Sequence, residues 1–255
     1  MMQRIFIPLD EEQSLAALLF SPASAARAVL IVCHGFRGGK ENGGQIIPFA
    51  QALTGRGLLV VAFDFSGCGE SSGEFSPITL SRQVRDLEQV CAYVQSNYNL
   101  PQMVLGRSFG GSTAIAAASC LPGVSAYILW SAPFDLNATF ALILDQDYER
   151  LAAGDSVIMA DEAGSFKLEP DLLADMQNHN MSQGLQAMLG KPVLLVHGED
   201  DEVVPVENVR QIAAHLPDAA LYIIPGADHR FSEHIQQRQA ITLGWIDTCF
   251  PANGI

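Results

Sequence analysis

Residues 101–119 read PQMVLGRSFGGSTAIAAAS, and the fold turns on them. Met103, Val104 and Leu105 form the short apolar run of a buried strand. The alanine-rich segment from Ser112 onward reads as a helix, with GRSFGG at the corner between them. G-x-S-x-G between a strand and a helix is the setting of a nucleophile elbow. Gly106 and Gly110 leave room for a turn so tight that its apex residue, Ser108, is held in a strained conformation with its hydroxyl projecting outward. The following helix then aims its amino-terminal N–H groups at the apex, where they can stabilise developing negative charge. Taken alone, the pattern also describes a glycine-bracketed serine in an ordinary loop.

Working outward, the chain alternates. Arg4 to Leu9 and Leu15 to Phe20 are apolar runs joined by DEEQS, which predicts an antiparallel pair at a sheet edge. Ala28 to Cys33 is a buried strand ending in HGFRGGKENGG, which opens into the helix IIPFAQALTGRG. Leu58 to Phe63 ends in DFSGCGESSG, and an amphipathic helix follows from Leu80 to Asn97. Ser125 to Trp130 ends in SAPFD. Between Asp135 and Lys191 no buried strand of this type appears. Asn137 to Ala152 reads as a helix, SVIM and SFKL as a small hairpin around DEAG, and Pro170 to Leu189 as another helix. So long a connection needs structure of its own, and residues 135–190 are expected to form a lid inserted into a core made of 1–134 and 191–255. The rhythm resumes with Pro192 to His197, the helix Pro205 to His215, the strand Ala220 to Ile224 and a closing helix from Phe231 to Phe250.

This alternation predicts an α/β fold with a mainly parallel central sheet and helices on both faces. In such sheets the site lies at the carboxyl ends of the strands, where HGFRGG, DFSGCG, GRSFGG, SAPFD, HGEDD and GADH all fall.

Composition agrees. Of 255 residues 49% are hydrophobic and 16% charged, as expected of one large domain whose sheet is covered on both faces. The net charge of −14 argues against nucleic acid or an anionic membrane as partner. A membrane-surface lipase is disfavoured by the same acidity and by the lack of a basic amphipathic segment. The five scattered cysteines read as reduced thiols, and the amino terminus lacks the apolar core of a signal peptide, so a cytoplasmic protein is expected. No residue cluster has metal-ligand spacing, and neither a metal nor another cofactor is expected.

A serine hydroxyl needs a base, and an imidazole base needs a carboxylate to fix its tautomer. His229 in GADH follows the last strand, and Asp201 in HGEDDEVVP follows the one before. The order Ser108, Asp201, His229 is that of the α/β-hydrolases. Asp200, Asp135 and Asp228 are the competing acids. His34 and His197, each before a glycine at a strand end, read as structural. His179, His215 and His234 read as solvated, with His179 a weaker candidate for touching substrate.

With these residues in hand the chain resembles the α/β-hydrolase superfamily of serine hydrolases. Within it the HGF and GADH segments are similar to bacterial feruloyl/cinnamoyl esterases and the serine aminopeptidase-like group. That resemblance implies an oxyanion hole from the backbone N–H groups of Phe36 and Phe109, each such donor being worth about 2.7 to 4 kcal/mol. It implies hydrolysis of a small-molecule acyl or aryl ester through an acyl-enzyme. Peptide or amide hydrolysis, thioester hydrolysis and acyl transfer use the same residues and stay open, as does a homodimer. A non-catalytic binding module would be expected had a triad member been lost. Two residues depart from the family pattern: Cys68 in DFSGCGESS and Arg107 before the serine. Arg37, next to Phe36, is a candidate contact for a carboxylate or phosphate on the substrate, against a salt bridge to a nearby acid or a solvated side chain.

Overall fold

The computed structural model describes residues 1–161 and 164–251. The amino-terminal runs pair antiparallel as β1 (Met2–Pro8) and β2 (Ser14–Phe20), with Met2 opposite Phe20. Then follow β3 (Ala28–Cys33), α1 (Ile46–Thr54), β4 (Leu58–Phe63), α2 (Leu80–Tyr98), β5 (Gln102–Arg107), α3 (Phe109–Ala117) and β6 (Val124–Trp130). Beyond an intervening segment lie β9 (Val193–Gly198), α8 (Glu207–His215), β10 (Ala220–Ile224) and α9 (Ile235–Cys249). The strand order is β1-β2-β4-β3-β5-β6-β9-β10, antiparallel as far as β4 and parallel from there on. The chain leaves β3 for β4 on one side and returns to β5 on the other. This reversal is the switch point where such sheets open a crevice.

Alternation along each strand divides the core in two. Val29, Ile31, Val104 and Leu129 pack toward α2 and α3, whereas Leu30, Val60, Leu105 and Trp130 pack toward α1 and α9.

The segment between β6 and β9 holds α4 (Leu136–Leu144), α5 (Gln146–Ala152), the antiparallel hairpin β7 (Val157–Asp161) and β8 (Gly164–Leu168), α6 (Asp171–Met176) and α7 (Met181–Gln186). The hairpin expected around DEAG is present, and residues 162 and 163 of that stretch lie outside the described residues. Each of the two long helices expected here is split. Asp145, at φ 47°, reverses the chain between α4 and α5. Residues 178–180, NHN, are poor helix formers, and the Asn180 side chain instead caps α7 by accepting from the Gln183 N–H at 3.1 Å. The closing helix begins later than expected because Phe231, buried with φ 56°, belongs to the preceding turn. Leu144, Leu151, Val157, Leu168, Leu172 and Leu185 join the same core cluster as α2 and α3, so the segment's apolar residues extend the main core. Among the described residues no helix is long and apolar enough to cross a membrane.

Candidate active site

Ser108 stands where β5 ends and α3 begins, at φ 51° and ψ −126°, a conformation costly for any residue with a side chain. It is held there from both sides. Its N–H donates to the Trp130 carbonyl at 2.8 Å, and its own carbonyl accepts from the N–H groups of Gly111 (2.7 Å) and Ser112 (3.2 Å). The turn closes so tightly that a Cβ on Gly106 would lie 2.4 Å from the Gly110 carbonyl oxygen.

The loops after β9 and β10 bring the other two candidates to this apex. His229 Nε2 is 3.1 Å from Ser108 Oγ, and its Nδ1 is 2.9 Å from each carboxylate oxygen of Asp201. A hydrogen bond from Nδ1 to the carboxylate leaves Nε2 as the acceptor facing the hydroxyl. Asp201 is itself fixed, since its Oδ1 accepts from the N–H groups of Val203 (3.1 Å) and Val204 (2.7 Å). Burial disfavours its charged form, but the hydrogen bond and charge of His229, with the Val204 N–H, outweigh burial and hold the carboxyl below its ordinary range. His197 props this loop through Nε2, which donates to the Val204 carbonyl at 2.8 Å.

The loop after β3 passes directly over the serine: a Cβ on Gly35 would stand 3.1 Å from Ser108 Cβ. Among the described residues the backbone N–H groups of Phe36 and Phe109 have no hydrogen-bond acceptor. Two uncommitted donors beside a buried hydroxyl are what an oxyanion hole requires.

With this geometry in place, the chain can be set beside known proteins. A family model described as serine aminopeptidase, S33, matches residues 24–182, more than half of the chain. The chain belongs to this family of α/β-hydrolases. The matched span contains Ser108 and stops short of Asp201 and His229. A monoacylglycerol lipase of Mycolicibacterium smegmatis is 26% identical over 66% of this chain and 70% of its own length. The fold is shared with Est1E of Butyrivibrio proteoclasticus, whose structure holds ferulic acid, at TM-score 0.80 and 22% identity over 96% of this chain and 98% of that one. It is shared also with the esterase domain of a Rhodothermus marinus protein, at TM-score 0.74 and 22% identity over 97% and 98%.

In this α/β-hydrolase the loop after β3 is clamped from below. Lys40, 2% exposed, places Nζ 2.7 Å from Asp64, 2.8 Å from Glu70 and 3.1 Å from Glu41. The fully buried Asp64 also accepts from the N–H groups of Lys40 (2.6 Å) and Glu70 (3.0 Å). Burial disfavours the ammonium, yet the three carboxylates raise its pKa above the ordinary lysine value. His34 adds a second tie, its Nε2 accepting from the Phe65 N–H at 3.1 Å while Nδ1 donates to the Gly35 carbonyl at 2.8 Å.

From above, the loop meets the hairpin. Arg37, the candidate substrate contact, forms a bidentate pair with Asp161 and lies over the Phe166 ring at 4.1 Å. This is the salt-bridge alternative named for it above. Phe36 makes edge-to-face contacts with Phe75, Phe109, Phe140 and Phe166, at centroid distances of 5.3 to 6.2 Å.

The remaining candidates fall outside this constellation. Asp135 caps α4 through the Ala138 N–H, Asp228 accepts from Ser232, and Asp200 is exposed. His179 bonds Ser81 at 2.9 Å, and His215 bonds the Gln211 carbonyl. Burial, then the Asp64 charge, push the Cys68 thiol up to about 12, so it is no nucleophile near neutral pH. Sequence reasoning missed Lys40, Asp64 and Asp161. The first two had a signal, because a lysine and an aspartate stand in the loops after two strands that read as neighbours.

Proposed function

We propose that this hydrolase cleaves carboxylic esters through an acyl-enzyme formed on Ser108. The observation that carries the reading is the unbroken relay from Ser108 Oγ to His229 Nε2 at 3.1 Å and from His229 Nδ1 to Asp201 at 2.9 Å. In this reading His229 takes the hydroxyl proton as Oγ attacks the carbonyl carbon, then returns it to the leaving alcohol. Asp201 keeps the imidazole oriented and stabilises its charged form. The Phe36 and Phe109 N–H groups receive the oxyanion. Water then attacks the acyl-enzyme by the same steps in reverse order.

The ring cluster of Phe36, Phe75, Phe109, Phe140 and Phe166 supports a small acyl or aryl group as the acid moiety, including the feruloyl/cinnamoyl type. Residues 135–190 act as a lid, with the β7–β8 hairpin resting on Phe36 and Arg37. A second reading, amide or peptide hydrolysis, is favoured by the description of the family itself.

The test is intact mass after treatment with a fluorophosphonate, followed by turnover of nitrophenyl esters, acyl thioesters and aminoacyl amides. Labelling of native protein but not of Ser108→Ala, with esters turned over fastest, is expected. No labelling would overturn the reading, and amides turned over faster than esters would replace it with the second.

A further inference from the structure

Phe140, in the segment inserted between β6 and β9, touches the side chains of both residues assigned to the oxyanion hole. Its helix, α4, starts from a fixed point. The Ser112 hydroxyl of α3 donates to the Pro133 carbonyl at 2.7 Å, and Asn208 of α8 accepts from the N–H groups of Phe134 (2.9 Å) and Asp135 (3.0 Å). Asp135 then caps α4 by accepting from the Ala138 N–H at 2.9 Å. Four-residue spacing puts Leu136, Phe140 and Leu144 on one face of the helix, and all three are buried.

The Phe140 ring, 1% exposed, stands with its centroid 5.3 Å from that of Phe36 and 5.2 Å from that of Phe109, at interplanar angles of 86° and 71°. Phe36 and Phe109 are themselves 6.2 Å apart at 76°. The three rings close a triangle of edge-to-face contacts, a geometry that aromatic pairs favour. Phe75 and Phe166 also pack on Phe36, but among the described residues Phe140 is the ring that meets both Phe36 and Phe109.

The two backbone donors stand on elements of unequal rigidity. Phe109 opens α3 and is fixed by the elbow. Phe36 lies on the loop after β3, which turns sharply at its next residue, Arg37, at φ 57°. His34 and Lys40 tie that loop on either side of Phe36. An oxyanion donor acts only within about 2.7 to 3.1 Å of the developing charge, so the spacing of the two N–H groups must be held to a fraction of an ångström. A ring wedged against both side chains supplies that constraint.

We propose, resting on the ester-hydrolase reading above, that Phe140 is a positioning residue, which sets the distance between the Phe36 and Phe109 N–H groups through their rings. The inserted segment thereby completes the oxyanion hole. Such a role acts on the transition state, so its loss falls on kcat, whereas a mere wall of the acyl pocket would act on KM.

Steady-state hydrolysis of nitrophenyl acetate and nitrophenyl cinnamate by the whole protein tests this, with fluorophosphonate labelling and melting followed in parallel. Phe140→Leu and Phe140→Met both remove the ring and keep most of the volume, so one serves where the other does not fold. Each is expected to lower kcat about 10- to 100-fold on both esters, with KM within about twofold of native. Leu144→Ala, one turn along the same face, loosens the packing of α4 without removing the ring. It is expected to lower the melting temperature and to leave kcat within about twofold. Native protein that turns over neither ester and takes no label overturns the ester-hydrolase reading, and the role of Phe140 with it. With an active native protein, an unchanged kcat in a folded ring variant, a loss confined to KM, or an equal loss of kcat in Leu144→Ala overturns the role of Phe140 alone.

Discussion

Arg37 and Asp161, 124 residues apart in the chain, meet in a two-point ion pair, Nε to Oδ2 at 3.0 Å and Nη2 to Oδ1 at 2.9 Å. One partner adjoins Phe36, the proposed oxyanion donor, and the other ends a strand of the hairpin, so the pair ties hairpin to loop. Their side chains are 20% and 38% exposed, which limits the strength of the pair to about 1 kcal/mol or less. Asp161→Ala is therefore expected to lower the melting temperature by no more than about 4 °C. Its larger effect should be on the hairpin, read as faster amide exchange over residues 157–168 and as a changed KM. Unchanged exchange in that strand pair would show that the ion pair holds nothing down.

Ser108→Ala should lower kcat by about 10⁶ and Asp201→Asn by about 10⁴, with far-ultraviolet circular dichroism unchanged in both. The asymmetry follows from the proposed roles, a reacting atom in one case and an imidazole orientation in the other. Equal and small losses would mean that turnover comes from elsewhere in the molecule.

Lys40→Met removes the counter-charge from Asp64 and leaves a fully buried carboxylate without its cation. Breaking such a pair from one side costs about 3 to 5 kcal/mol, measurable as a lower urea midpoint. The double variant Lys40→Met/Asp64→Leu should recover part of that loss. A single variant as stable as the native protein would show that Lys40 contributes nothing net.

His34 and His197 are both neutral in the fold, their pKa values lowered chiefly by burial. Because the unfolded chain binds these protons more readily, their contribution to stability is complete above the unfolded value of about 6.5. It is lost progressively as pH falls below that toward the depressed folded values. For His34 the cost has a visible cause, since protonating Nε2 would set it against the Phe65 N–H. Melting temperature should therefore fall from pH 7 to pH 5, and a flat profile over that interval would refute this account.

The strands were legible because their apolar runs are continuous, and the elbow because only glycines fit around a turn of that tightness. Asp201 could be told from Asp200 by its spacing from His197. The split of the two long helices at Asp145 and at residues 177–180 was not legible, because tertiary packing decides whether a polar run is tolerated inside a helix or breaks it. Arg37 shows a different limit. Its neighbour Phe36 marked it as close to the site, but its partner stands on a hairpin whose docking no local pattern encodes. Arg107 stood out only as an unusual residue before the serine, since its hydrogen bond to Asn42 joins β5 to the loop after β3 and exists only in three dimensions.

Asp201 and His229 follow β9 and β10, whereas Ser108 lies far earlier, ahead of the whole inserted segment. A ribosome working from the amino end completes the elbow long before it reaches the residues that would activate the serine. On the proposed assignment a growing chain carries Ser108 unarmed, and a product stalled before β10 would acquire no base however well its earlier strands had paired. Reactivity of the serine is in this way made conditional on completing the sheet.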